Sequence, residues 1–361
     1  MSSEVERDLS KGPGLRPSSS TAAGDWAGGA TMSDVARRAQ LSRSQVSNFF
    51  NNPGLVSTDA RQRIGAAIAE LGYVRDEVAS ALRRGTSQML GLLLLDGWAP
   101  YFADLSQAID DEADRRGWYL QVANSSRNEQ REMRHLDYFG AYRTRGIIVA
   151  PQGDISARLQ RLTERGMACV LLDPPSAHPA PACLPSVAVD HRAGGSLAAE
   201  HLLERGSRRF AFVGNTAQVH SQDRLAGFAA TLRKNHPDAP IDVIETADLT
   251  IGAAKPAADH ILRLTDRRPD GVLAANDLVA IGLLHALTSS RIQVPRDIRL
   301  VGYDDIDMAA QLVTPLSTIR QPVKQLGATA VRLVIDQIDR PTTGEAPHLM
   351  LQPKLVIRST T

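Results

Sequence analysis

The chain has 361 residues, 43% of them hydrophobic, and a formal net charge of +1. Length and apolar content together exclude a single small domain and a wholly disordered chain. The longest apolar runs, such as residues 90–95, are too short for a membrane-spanning helix, and the two cysteines, Cys169 and Cys183, cannot build a disulfide framework, so reduced thiols in a cytoplasmic protein are expected.

Charge is unevenly spread. Residues 1–30 are rich in Ser, Gly, Pro and Ala, show no periodicity and lack the apolar stretch of a signal peptide; a disordered tail is expected. Residues 31–84 carry eight arginines against five acids, so the positive excess of the chain falls in one small segment, as a nucleic-acid partner would favour.

Residues 31–76 read as three short helices. Val35, Ala36 and Ala39 form one apolar stripe, Val46, Phe49 and Phe50 a second, and Ile64, Ile68 and Leu71 a third. Ser42-Arg43-Ser44-Gln45 has the pattern of a capping box, in which hydroxyl and amide satisfy each other's backbone amides, and it sets a helix start at Arg43. Ser57 suits the cap of the third helix and Gly72 its end. Only a tight turn fits between Ala39 and Ser42, which predicts a helix-turn-helix. Arg43, Ser44 and Asn48 then share one face of the second helix, opposite Val46 and Phe49.

After Ser87 the pattern changes. Eight apolar runs (91–96, 119–124, 146–151, 169–173, 186–190, 210–215, 271–276 and 299–304) read as strands, and amphipathic stretches such as 102–116 and 195–205 separate them. That alternation predicts a parallel, doubly wound α/β architecture, which binds ligands beyond the carboxyl ends of its strands. Polar groups stand there: Asp96, Asp173, Asp190, Asn276-Asp277 and Asp304-Asp305 each follow a strand.

Residues 31–73 resemble the DNA-binding domain of the LacI family of bacterial regulators. Thr31, Asp34-Val35-Ala36, Ala39, Ser42, Val46-Ser47, Asn51, Val56-Ser57, Arg61, Ile64, Leu71 and Tyr73 fall in register, and the likeness continues to LQPKLVIRST at the C-terminus. The resemblance implies a helix-turn-helix head (31–76), a hinge helix with linker (77–87) and a periplasmic-binding-protein-like sensor (88–361). The sensor would have one lobe of about 88–188 plus 322–352 and another of about 189–321 plus 353–361. It further implies a homodimer on a pseudo-palindromic operator in double-stranded DNA, controlled by a small polar effector. By family position, Arg43, Ser44 and Asn48 would contact bases, and Thr31, Ser42, Ser47, Asn51 and Ser57 phosphates, while Ala79 and Leu82 would enter the minor groove. Tyr101, Phe102, Asp173, Arg224, Asn276, Asp304 and Gln321 would form the effector site. The hinge departs from the family: Arg75-Asp76 replaces the usual Pro-Asn, and Ser80 a frequent Arg. Leu249 stands where many sugar-responsive members have a stacking aromatic.

Enzymatic alternatives find little support. There is no dinucleotide-binding G-x-G-x-x-G, no P-loop and no G-x-S-x-G elbow. Asp190-His191 is the one catalytic-looking pair and has no nucleophile beside it. His220 reads as an exposed loop histidine. No Cys/His cluster has metal-ligand spacing, so neither metal nor cofactor is expected.

Overall fold

The computed structural model describes residues 30–74, 88–142, 144–237, 240–341 and 344–361. Ala79 and Leu82, like the atypical Arg75, Asp76 and Ser80, lie outside the described residues. The chain divides into two compact units, Met1–Gly85 and Thr86–Thr361.

The first unit holds α1 (Met32–Ala39), α2 (Arg43–Asn51) and α3 (Thr58–Leu71). Thr31 with Asp34, and Ser42 with Gln45, form reciprocal capping boxes, so the orphan amides at two helix starts are satisfied within four residues. Between the two helices Gln40 takes the left-handed backbone, φ 52°. Arg63 of α3 donates to the carbonyls of Ala39 and Gln40, bringing a cation to the negative end of α1. Val35, Val46 and Ile64 are fully buried between the helices. Phe49, Phe50 and Tyr73 close the side of this small core, with ring centroids 5.2 Å and 6.2 Å apart. Ser57 caps α3, and Gly72 ends it at φ 57°.

The second unit contains two six-stranded sheets. The first takes β1 (Met89–Leu94), β2 (Tyr119–Asn124), β3 (Gly146–Val149), β4 (Ala168–Leu172), β5 (Ser186–Val189) and β11 (His348–Leu351) in the order β2-β1-β3-β4-β5-β11, all parallel. The second takes β6 (Phe210–Gly214), β7 (Ile241–Glu245), β8 (Gly271–Ala274), β9 (Arg299–Asp304), β10 (Ser317–Arg320) and β12 (Lys354–Val356) in the order β7-β6-β8-β9-β10-β12. The chain therefore passes between the sheets after β5, after β10 and after β11.

Helices cover both faces. In the first lobe α4 (Pro100–Arg115) and α12 (Val323–Asp339) bury Leu90, Leu92 and Leu94, while α5 (Glu129–Ala141) and α6 (Ser156–Glu164) bury Leu93, Ile147 and Val149. Alternate strand residues thus feed opposite cores, which is why these strands read as continuous apolar runs. In the second lobe α7 (His191–Glu204) and α8 (Val219–Asn235) pack over Phe212, Val301 and Tyr303. There α9 (Ala254–Arg263), α10 (Asp277–Ser289) and the short α11 (Asp307–Gln311) cover the other face. Cys169 is buried, Cys183 is exposed, and both are free thiols.

The structure departs from the expected strand pattern in two respects. Four strands, β7, β10, β11 and β12, escape the apolar pattern. β10 (STIR) is buried yet largely polar, because Ser317 bonds Thr361 and Thr318 bonds Asp277. β7, β11 and β12 are sheet edges, where one face stays wet. The second sheet is also not wholly parallel, since β12 runs antiparallel to β10.

Helices α7 and α8 touch backbone to backbone. A Cβ at Gly195 would lie 2.0 Å from the Arg224 carbonyl oxygen, and one at Gly227 1.9 Å from that of Arg192. This approach sets where Arg224 leaves α8. Gly227→Ala is therefore expected to lower unfolding stability by about 1–3 kcal/mol, the usual cost of overpacking, in a denaturant titration. Gly153→Ala, where nothing lies within 4 Å, should be nearly silent; equal effects from the two would refute the close contact.

Candidate functional site

In the helix-turn-helix unit, the capping box holds the first turn of α2, and Arg43, Ser44 and Asn48 project from it. Arg43 is exposed and Asn48 half-buried; among the described residues neither side chain makes a hydrogen bond or ion pair. The Ser44 hydroxyl lies 2.9 Å from that of Ser42. The hydroxyls of Thr31, Ser42 and Ser57 each accept a backbone amide at a helix start, so all three cap helices. Ser47 accepts from the Asn51 amide at 3.2 Å. Three helix N-termini thus carry short polar residues, the arrangement that receives phosphate oxygens.

In the two-lobed unit a cavity of about 210 Å³ opens beyond the carboxyl ends of the strands. The first lobe contributes Tyr101 and Phe102 from the start of α4, Asp173 after β4, and Trp98 and Arg127 from loops. The second contributes His220 and Arg224 from α8, Leu249, Asn276 and Asp304. One wall is apolar and aromatic, the other polar, which suits a small molecule with hydroxyls on one side.

The polar wall is one connected network. Asp173 accepts from the Val189 amide at 3.0 Å and from His191 Nε2 at 2.9 Å. His191 Nδ1 lies 3.1 Å from the Tyr303 hydroxyl and 3.4 Å from Arg224 Nε. Arg224 Nε can only donate, so Nδ1 accepts and the ring proton is assigned to Nε2. The guanidinium sits 3.7 Å over the Tyr303 ring, donates to the Ala275 carbonyl, and faces Asp304 at 3.6 Å. Asp173 (φ 50°) and Asp304 (φ 111°) both hold left-handed backbone that non-glycine residues rarely adopt. Such strain is typical of ligand-binding positions.

Electrostatics follow from burial and neighbours. Burial alone would raise Asp173, but His191, His220 and two hydrogen bonds outweigh it and hold it well below the usual carboxylate range. Burial raises Asp304, against the pull of Arg224 and the Gln321 amide. Tyr101 is raised by burial and by Asp173 and Asp304, and its hydroxyl finds no hydrogen-bond partner among the described residues; neither does that of Ser221. Two buried cavity-lining hydroxyls are thus left for a ligand or water to satisfy.

The structure gathers six of the seven expected cleft residues around the cavity. Gln321 is the exception: it lies behind Asp304 and donates to its carboxylate at 2.7 Å, so it positions the acid and does not line the cavity. Asn276 does line it, but its amide is already used, capping α10 through Val279 and bonding the Leu249 carbonyl. Asp190 caps α7, Asp277 bonds Thr318 and Ile306, and Asp305 pairs with Arg320 and Arg358. His220 corrects the sequence reading. It lies within α8 and inside the cleft, stacked on His191 with centroids 4.7 Å apart. Arg127, which donates across the cleft to Gln218 at 2.8 Å, had no signal beyond a turn-rich loop.

Burial and the adjacent His191 and Arg224 push His220 down to about 4, against Asp173 and Asp223. The unfolded chain takes up that proton near pH 6.5, before the folded one does. His220 therefore costs no stability above pH 6.5 and costs progressively more as pH falls toward 4. Denaturant unfolding between pH 4 and 7 should show a shallower acid loss in His220→Gln; an unchanged slope would remove His220 as the cause.

Residues 31–76 match the lacI family of bacterial regulatory proteins, and residues 199–361 match a periplasmic binding protein-like domain. The ribose operon repressor of Bacillus subtilis (strain 168) is 33% identical over 317 residues, covering 88% of this chain and 94% of that protein. The Lac repressor dimer bound to operator and the anti-inducer ONPF superposes with a TM-score of 0.79 at 27% identity, covering 92% of this chain and 99% of that one. A LacI family transcriptional regulator from Enterococcus faecalis V583 with bound ribose gives 0.67 at 28% identity, over 76% and 98%. With a three-helix head and a two-lobed sensor both in register with such proteins, the chain belongs to the LacI family of bacterial regulators.

Proposed function

We propose that this protein is a sequence-specific transcriptional repressor whose hold on DNA is set by a small polyhydroxylated effector in the cleft. The observation that carries the reading is a helix, α2, fixed by its capping box, with the side chains of Arg43 and Asn48 unpaired among the described residues. Arg can make two hydrogen bonds to guanine O6 and N7, and Asn two to adenine N6 and N7. Ser44 shares that face. Thr31, Ser42, Ser47, Asn51 and Ser57 would receive phosphates and fix the docking register. For Thr31, Ser42 and Ser57 this adds to capping, because backbone amides at the same helix starts can donate to the phosphate.

A homodimer would present two such heads to inverted half-sites of a pseudo-palindromic operator. Ala79 and Leu82 are the proposed minor-groove contacts of the hinge. The protein would act in the cytoplasm as a regulator and not as an enzyme, and the family's regulators support that reading. In the cleft Arg224 and Asp304 are the proposed anchors from one lobe, with Tyr101 and Phe102 closing from the other. Asp173 adds an acceptor, Asn276 lines the cavity, and Gln321 acts through Asp304, whose carboxylate it holds. Relatives named as ribose operon repressors and a neighbour with bound ribose support a sugar of about that size.

Arg43→Ala should cost about 1–3 kcal/mol on operator DNA and relax preference at one base position. Competition binding against a library of operator variants reads this; an equal loss on every sequence would make Arg43 a phosphate contact. Arg224→Ala should abolish thermal stabilisation by ribose or related sugars without changing operator affinity of the sugar-free protein. Undiminished stabilisation would take Arg224 out of the site.

A further inference from the structure

Asp173, His191 and His220 come from three separate stretches of chain, and each places one ligating atom within 4.8 Å of the other two. Asp173 Oδ2 lies 2.9 Å from His191 Nε2 and 3.8 Å from His220 Nε2. Two donors bound at about 2.0–2.1 Å to one cation stand about 3.0–3.4 Å apart, so the observed separations bracket that spacing. The donor atoms of the two imidazoles lie within 4.8 Å of each other, so His220 would move toward the other two residues to close the site. Two imidazoles and one carboxylate are a donor set that holds first-row divalent cations and leaves other coordination positions open.

His220 has no role in the polar network described above. Among the described residues its ring makes no hydrogen bond; it stacks on His191 and faces Asp173 at beyond hydrogen-bond distance. A largely buried imidazole with unspent ring nitrogens, in a cleft, is a ligand in waiting. Arg224, whose Nε lies 3.4 Å from His191 Nδ1, faces Asp304 at 3.6 Å, so its charge is opposed by an acid other than Asp173.

We infer that Asp173, His191 and His220 form a site for a divalent cation of the zinc, cobalt or nickel class on the floor of the cleft. Asp173 and His220 line the cavity, so the open coordination positions face it. An effector offering two adjacent oxygens, a vicinal diol or an α-hydroxycarboxylate, would complete the shell; that part alone rests on the effector reading given above. Ligation requires the Nε2 lone pair of His191. The ring proton moves to Nδ1, where the Tyr303 oxygen accepts it, and no net proton is released. Arg224 Nε then loses its contact with Nδ1, which links the ion to the arginine of the same cleft.

The test uses untagged, full-length protein stripped by a chelator, with neither DNA nor sugar present. Titration with Co²⁺ should produce visible d–d absorption that saturates at one ion per chain and is displaced by Zn²⁺. Asp173→Asn and His220→Ala, checked for folding by circular dichroism, should each weaken binding at least about tenfold, since loss of even an outer partner of a metal ligand costs 10–100-fold. His236→Ala, at an exposed histidine, should leave it unchanged. Absence of saturable bands, or bands that survive both variants, overturns the site. Thermal stabilisation by ribose that is identical with and without Co²⁺ overturns chelation of the effector while leaving the effector cleft itself standing.

Discussion

The hydrogen bond from His191 to Asp173 joins the two lobes at the floor of the cleft, and the rest of the polar wall is arranged around it. Asp173 belongs to the first sheet, being held by the amide of Val189, while His191 opens the first helix of the second lobe. With Nε2 committed to Asp173, Nδ1 must accept, and it accepts from Tyr303 and Arg224. Tyr303 in turn offers its ring face to the guanidinium. The His191 imidazole thereby stands between the buried Asp173 carboxylate and the Arg224 guanidinium, bonded to the first through Nε2 and to the second through Nδ1, while Arg224 faces a different acid, Asp304, at 3.6 Å.

Backbone packing supports this chemistry. Arg224 can reach Tyr303 and Ala275 because α7 and α8 lie close enough for glycines alone at the crossing, Gly195 and Gly227. The acids reach their places through strained turns, Asp173 and Asp304 at positive φ. Strain of this kind costs on the order of 1–3 kcal/mol per residue and persists only where surrounding bonds over-determine it. Here the Val189 amide and His191 fix Asp173, and Gln321 fixes Asp304. Gln321 therefore acts on whatever enters the cavity through the acid it holds.

Much of this was legible in the sequence because local rules carry it. The capping box at Ser42 and Gln45 is written in four consecutive residues, and apolar strands buried on both faces announce themselves without knowledge of the fold. Family position placed Arg224, and the glycine three residues on, at the crossing of α7 and α8, explains where it leaves the helix. What was not legible depends on long-range contact. His220 read as an exposed histidine because nothing within α8 signals that Asp173, 47 positions earlier, and His191 will pack against it. β10 was hidden because its serine and threonine are satisfied by Thr361 and Asp277, partners more than forty residues away. Asn276 was legible twice over, as a helix cap and as a cleft residue, and the structure shows the cap using its carbonyl and the Leu249 loop its amide.

Among the described residues, polar contacts bridge the lobes. Besides Asp173 with His191, Arg127 reaches Gln218 and Ser176 reaches Asp223. Each such hydrogen bond contributes on the order of 0.5–1.5 kcal/mol net, more where a charge takes part. Links of this kind are individually weak enough for a bound molecule to matter beside them. A bound molecule that touches Arg224 and Asp304 on one side and Tyr101 on the other adds interactions of the same size, and only to the arrangement in which both walls are in reach. Differential binding of that kind is the condition for a ligand to shift a conformational equilibrium. The hydroxyls of Tyr101 and Ser221, which find no partner among the described residues, sharpen the difference, because a ligand that bonds them satisfies buried polar groups on the cavity wall.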